Sequence, residues 1–94
     1  KNIEEGSVEL FAQEICKKHG IKIGDFDYSY SKYVNALRRI NENTTSYETE
    51  YDFAKALFET PLSQRADFLK GLKSEVSKEN RRFFSADLKT IGAT

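Results

Sequence analysis

Residues 59–73 read ETPLSQRADFLKGLK. Thr60-Pro61 has the form of a helix start, with threonine as N-cap and proline at the first helical position. Leu62, Ala66, Leu69, Leu72 (or Lys73) and Val76 then recur at helical spacing. Two architectures compete for this stretch. In one, FAKALFETPLSQRADFL (residues 53–69) is a DNA-reading helix-turn-helix whose second helix enters the major groove. In the other, Thr60-Pro61 is a corner between two helices of a small bundle.

The side chains decide for the corner. With Ala54 as the small residue where the helices cross, Phe58 would need a positive φ, and Glu59, Gln64 and Asp67 would have to make apolar core contacts. Moving the register to Ala56 suits Ala66 and Leu69, but sets Thr60 in the turn and Pro61 at a buried position. The first two helices offer no alternative, because roughly ten residues separate them where the motif allows three or four.

Outward from the corner the pattern stays helical. Upstream, Thr45-x-x-Glu48 has the form of a capping box, followed by a stripe of Tyr47, Tyr51, Ala54, Leu57 and Phe58 that Phe53 widens and Pro61 ends. Before it, a helix from Ser29 or Ser31 carries Tyr33, Val34, Leu37 and Ile40 and gives out at Asn41-Glu42-Asn43-Thr44. The first helix is expected over Ser7–His19, with Ser7 as N-cap and Val8, Phe11, Ala12, Ile15 and Cys16 as its buried face. Gly20 ends it, and Ile21 is placed to fold back onto Cys16. Between these helices, IKIGDFDYSYS (21–31) reads as a connection, since a lone extended segment has no strand to pair with. Downstream, Phe83, Phe84, Leu88 and Ile91 either continue the fourth helix or form a short fifth one capped by Ser85, with a break near Ser85 favoured, and Gly71 suggests close helix packing. Amphipathic helices must shelter one another's stripes, so the fold class expected is all-α, a small four- or five-helix bundle forming a single domain over 1–94.

Composition agrees with a folded chain. An apolar fraction of 38% with seven Phe and five Tyr supplies a modest core, and 32% charged residues with a mean hydropathy of −0.65 supply a well-solvated exterior. No apolar run approaches the ~18 residues of a membrane span, and no leader peptide is visible, though the chain begins at Lys1. The lone Cys16 admits no internal disulfide, reads as a buried thiol, and favours a reducing, cytoplasmic setting. Net charge is zero, which removes any whole-protein field for nucleic acid or membrane. Locally, residues 41–61 hold one base and five acids, and residues 62–94 hold seven bases and four acids.

Catalytic chemistry finds little footing. His19 is the only histidine and falls at a helix end, where the macrodipole favours it. Asp25 and Asp27 resemble the start of a calcium loop, but no third ligand, central glycine or closing acid follows. Phosphate-binding glycine loops, nucleophile elbows and Cys-x-x-Cys pairs do not occur. An enzyme is not expected, nor any metal or cofactor.

Two surfaces remain. Tyr28, Tyr30, Tyr33, Tyr47 and Tyr51 fall within residues 28–51, and tyrosine joins a large apolar body to a polar tip, as interfaces favour. Lys73, Lys78, Arg81 and Arg82 lie near Phe83 and Phe84, a set suited to phosphates and stacked bases, although Glu75 and Glu79 interrupt the charge. The function expected is non-catalytic binding of a protein partner, as adaptor, inhibitor, regulator or assembly subunit, with the five tyrosines as anchors and the acidic centre selecting a basic region. The alternative is nucleic-acid binding through the four basic residues. A homo-oligomer is a further option, because small bundles with exposed aromatics often complete themselves in pairs.

Overall fold

Five helices form where the periodicity places them, and their ends differ from expectation in instructive ways. The computed structural model describes residues 2–21 and 30–93, and among these there are no strands. Helix α1 spans Asn2–Lys18, α2 Ser31–Glu42, α3 Glu50–Glu59, α4 Arg65–Gly71 and α5 Arg81–Thr90; 3-10 turns at Leu62–Gln64 and Leu72–Glu75 flank α4. The expected all-α bundle is the architecture observed. One core gathers Ile3 and Leu10 of α1, Val34, Leu37 and Ile40 of α2, Phe53 and Leu57 of α3, Leu69 of α4, and Phe84 and Leu88 of α5. Helix α1 packs on α2 and α3, and α5 covers α2.

Gly20 behaves as the sequence predicts. Its φ of 67° lets the Ile21 N–H reach the Cys16 carbonyl at 2.8 Å and its own N–H reach Lys17 at 3.3 Å, the paired closure of a Schellman cap. The Ile21 side chain nevertheless stays exposed. Gly92, with φ of 73°, closes α5 the same way, through Ala93 N–H to Leu88 and Gly92 N–H to Lys89.

The four predicted side-chain caps are all displaced. Ser7 is interior, because α1 begins at Asn2; its hydroxyl donates back to the Ile3 carbonyl at 2.5 Å. Thr45 does not cap α3, because Glu75 from the second 3-10 turn accepts its backbone N–H at 2.8 Å. Thr49 caps instead, its Oγ accepting from the Asp52 N–H at 3.1 Å. Thr60 closes α3 rather than opening α4, and its hydroxyl donates to the Ala56 carbonyl at 2.7 Å. Ser85 lies inside α5, which is already under way from Arg81.

The corner at Thr60–Gln64 is held by Arg65. Pro61 is extended, with ψ of 139°, and the buried Arg65 guanidinium donates to the carbonyls of Thr60 at 2.8 Å and Phe58 at 2.7 Å. Carbonyls that the end of α3 would leave unpaired are thereby satisfied. No non-glycine residue among those described takes a positive φ. The apolar assignments around the corner shift accordingly: Leu69, Leu72 and Val76 are buried, whereas Leu62 and Phe58 are exposed.

Candidate protein-binding surface

Helix α1 buries the face opposite to the one its apolar stripe predicts. Ile3, Gly6, Ser7, Leu10 and Glu14 point inward. Small residues make this possible: a Cβ on Gly6 would stand 3.1 Å from Tyr33 Cβ and 3.2 Å from Leu37 Cδ1, so α1 and α2 approach there more closely than most side-chain contacts do. Gly71, the glycine expected at a close contact, has open space around it.

An ion network fixes this orientation. Glu14, 5% exposed, accepts from Arg38 Nη1 at 2.7 Å and from Lys17 at 3.2 Å. Arg38 also donates to Glu50 and, at 2.9 Å, to Gln13 Oε1, so one guanidinium of α2 ties α1 to α3. Burial works against its charge, but the hydrogen bonds and charges of Glu14 and Glu50 outweigh that and raise its pKa above the usual arginine value. A second link, Arg39 to Asp87 at 2.8 Å, fastens α5 to α2.

The predicted stripe therefore lies at the flank of the core, with Phe11 packed against it. Val8 is 48% exposed, and Phe11, Ala12, Ile15 and Cys16 are only partly covered; the thiol read as buried is half-buried and free. Along its edge an aromatic row crosses to α3. Phe11 lies 5.9 Å from the ring of Tyr51 and 4.8 Å from that of Phe58. Lys18 Nζ sits 4.1 Å from the Tyr51 ring centre, and the Arg65 guanidinium lies 5.6 Å from that of Phe58.

The tyrosines do not form one group. Tyr28 lies outside the described residues, as do Asp25 and Asp27. Tyr30 immediately precedes α2 and is half-buried. Tyr33 is half-buried beside Gly6, with Lys32 at 5.2 Å from its ring. Tyr51 joins the α1 row. Tyr47 lies ahead of α3 rather than on its face, against Phe53 at 5.8 Å and Phe68 at 6.2 Å. Burial raises its phenol pKa above the usual value, and the Glu75 carboxylate adds to the shift.

The basic residues remain outside. Lys73, Lys78, Arg81 and Arg82 are exposed, with Arg82 5.3 Å from the ring of the 55% exposed Phe83. Phe84 is fully buried in the core and offers no stacking face. Glu75 pairs with Thr45 and Ser46 instead of with its sequence neighbours. His19 is exposed just beyond α1. At the α3–α4 corner an open cleft of about 840 Å³ carries Glu59 and Asp67 over Ala56, Pro61 and Phe68. Among the described residues no three His, Cys, Asp or Glu side chains gather as a metal site.

Comparison of the chain with protein-family models, with curated proteins and with solved structures finds no match. What fold and surface define is a class: a small all-α bundle whose first helix leaves its apolar stripe only partly covered.

Proposed function

We propose that the chain is a non-catalytic protein-protein interaction module that binds through a helical surface. The observation that carries this reading is the incompletely covered stripe of α1, Val8 to Cys16, in which Val8 is exposed and Phe11 leads on to Tyr51 and the exposed Phe58. Apolar area of this kind, rimmed by charge, gains most from burial against another protein. Tyr51 is its aromatic anchor, Tyr30 and Tyr33 lie apart from it, and the acids Glu59 and Asp67 favour a basic neighbour. Adaptor, inhibitor, regulator and assembly subunit are all roles such a surface serves. The test is capture from host extract with the immobilised chain, comparing Val8→Glu and Tyr51→Ala with the parent at equal helicity. Partners should be lost from both variants; undiminished capture overturns the reading.

A second reading, nucleic-acid binding, is favoured by one observation: Lys73, Lys78, Arg81 and Arg82 form no ion pair among the described residues, and Arg82 stands beside the exposed Phe83. Its mark would be single-strand affinity that falls steeply with salt and disappears in Arg81→Glu/Arg82→Glu.

A further inference from the structure

We propose that the cleft at the α3–α4 corner is a docking site for an arginine-bearing basic segment of a partner protein. The proposal rests on the reading of the chain as a protein-binding module and assigns it a contact separate from the α1 stripe. The corner builds the site. Glu59 ends α3 and Asp67 stands in the first turn of α4, so the turn at Pro61 brings carboxylates of two helices to one open cleft of about 840 Å³. Ala56, Pro61 and the half-buried Phe68 supply its apolar lining, and Phe68 is itself packed against the core. Arg65 holds the wall in place by donating to the carbonyls of Thr60 and Phe58. A cleft fixed before binding loses less freedom when it is filled.

Charge complementarity names the occupant. Glu59 and Asp67 are exposed, and neither enters an ion pair among the described residues. Arg65, the cation buried at this corner, directs its donors to backbone carbonyls instead. Glu59 is also an acid at the C-terminal end of a helix whose last turn holds no base, where the macrodipole opposes negative charge. A cation brought by a ligand relieves that opposition. The surrounding sequence adds to the negative field, since residues 41–61 hold five acids and one base. Phosphate-bearing and acidic ligands are therefore repelled, and among the described residues no third His, Cys, Asp or Glu joins the two acids to hold a metal ion. Apolar surface beside the acids suits a cation with an apolar or planar body. Arginine has both: its stem can cover Ala56 and Pro61, while its guanidinium stacks on an aromatic ring such as Phe68 and hydrogen-bonds carboxylates.

The probe is an acetylated, amidated pentapeptide with a central arginine between leucines, titrated into the isotope-labelled full chain and read by backbone amide NMR shifts. Saturating shifts should gather at Ala56, Glu59, Gln64, Asp67 and Phe68, with a dissociation constant on the order of 0.1–1 mM, as fits a short flexible peptide at an open surface. Glu59→Gln/Asp67→Asn should weaken binding about five- to tenfold at unchanged helicity, and the same peptide with citrulline for arginine should leave these amides unmoved. Glu59→Gln alone should keep or raise the unfolding midpoint, which separates lost binding from lost fold. Absence of saturating shifts at the cleft up to about 5 mM peptide overturns the proposal. So does equal affinity in the double variant, or equal affinity for the citrulline peptide. If the cleft stays silent while Val8→Glu and Tyr51→Ala abolish partner capture, the docking site fails and the α1 surface stands; if the peptide binds the cleft but both variants capture partners undiminished, the α1 surface fails and the docking site stands.

Discussion

Glycine at two positions shows how much a single residue depends on its surroundings. At Gly71 nothing lies within 4 Å of an added Cβ and the backbone is helical, so Gly71→Ala should stabilise the protein by up to about 1 kcal/mol, through helix propensity. At Gly6, Tyr33 and Leu37 fill the space, and Gly6→Val should cost about 1–3 kcal/mol in overpacking. Urea midpoints of the two variants, moving in opposite directions, would check both. Glu75 gives a pH dependence. The Ser46 hydroxyl and the Thr45 backbone N–H, both donating to it, hold its carboxyl below the ordinary glutamate range. A folded pKa lower than the unfolded one adds stability above the unfolded value, about 4.3, and that stability is lost as pH falls through the folded value. The parent should therefore lose stability on acidification more steeply than Glu75→Gln between about pH 5 and 3. Parallel curves would show that the clasp contributes nothing.

Among the elements, α1 is where pattern and packing part. Its apolar residues span two faces, and periodicity selects the richer one, Val8 to Cys16, for the core. Packing selects the other, because Gly6 and Ser7 permit the approach of α2 and Glu14 finds Arg38. Leu10→Ala should cost about 2–5 kcal/mol, since Leu10 is 1% exposed. Val8→Glu should stay within about 0.5 kcal/mol. Thermal unfolding of the pair decides which face is inside; equal losses would contradict the fold. The stretches around α3 and α4 teach a related lesson. Their apolar periodicity placed the helices within a few residues, but the caps at Thr45 and Thr60 went elsewhere. Thr45 is taken by a partner remote in sequence, Glu75, thirty residues away, which a local motif cannot weigh, whereas Thr60 turns back to the Ala56 carbonyl of the helix it ends.

For the whole molecule, α5 closes the core. Phe84 and Ile91 are fully buried, and Asp87 clasps Arg39 of α2. Phe84→Ala should cost about 3–5 kcal/mol, a large share of the 5–15 kcal/mol expected of a domain. Circular dichroism should show a measurable unfolded fraction at room temperature or a sharply lowered midpoint; an unshifted midpoint would mean that α5 is not integral. The sequence by itself determined the all-α class, the stop at Gly20 and the corner at Pro61, because periodicity and backbone preference act over a few neighbouring residues. Only the tertiary structure decided that Phe84 is core, that Tyr47 and Tyr51 part company, and that the apolar stripe of α1 is only partly covered. Those outcomes depend on how closely two helices can approach and which distant charges meet, quantities that no local spacing contains.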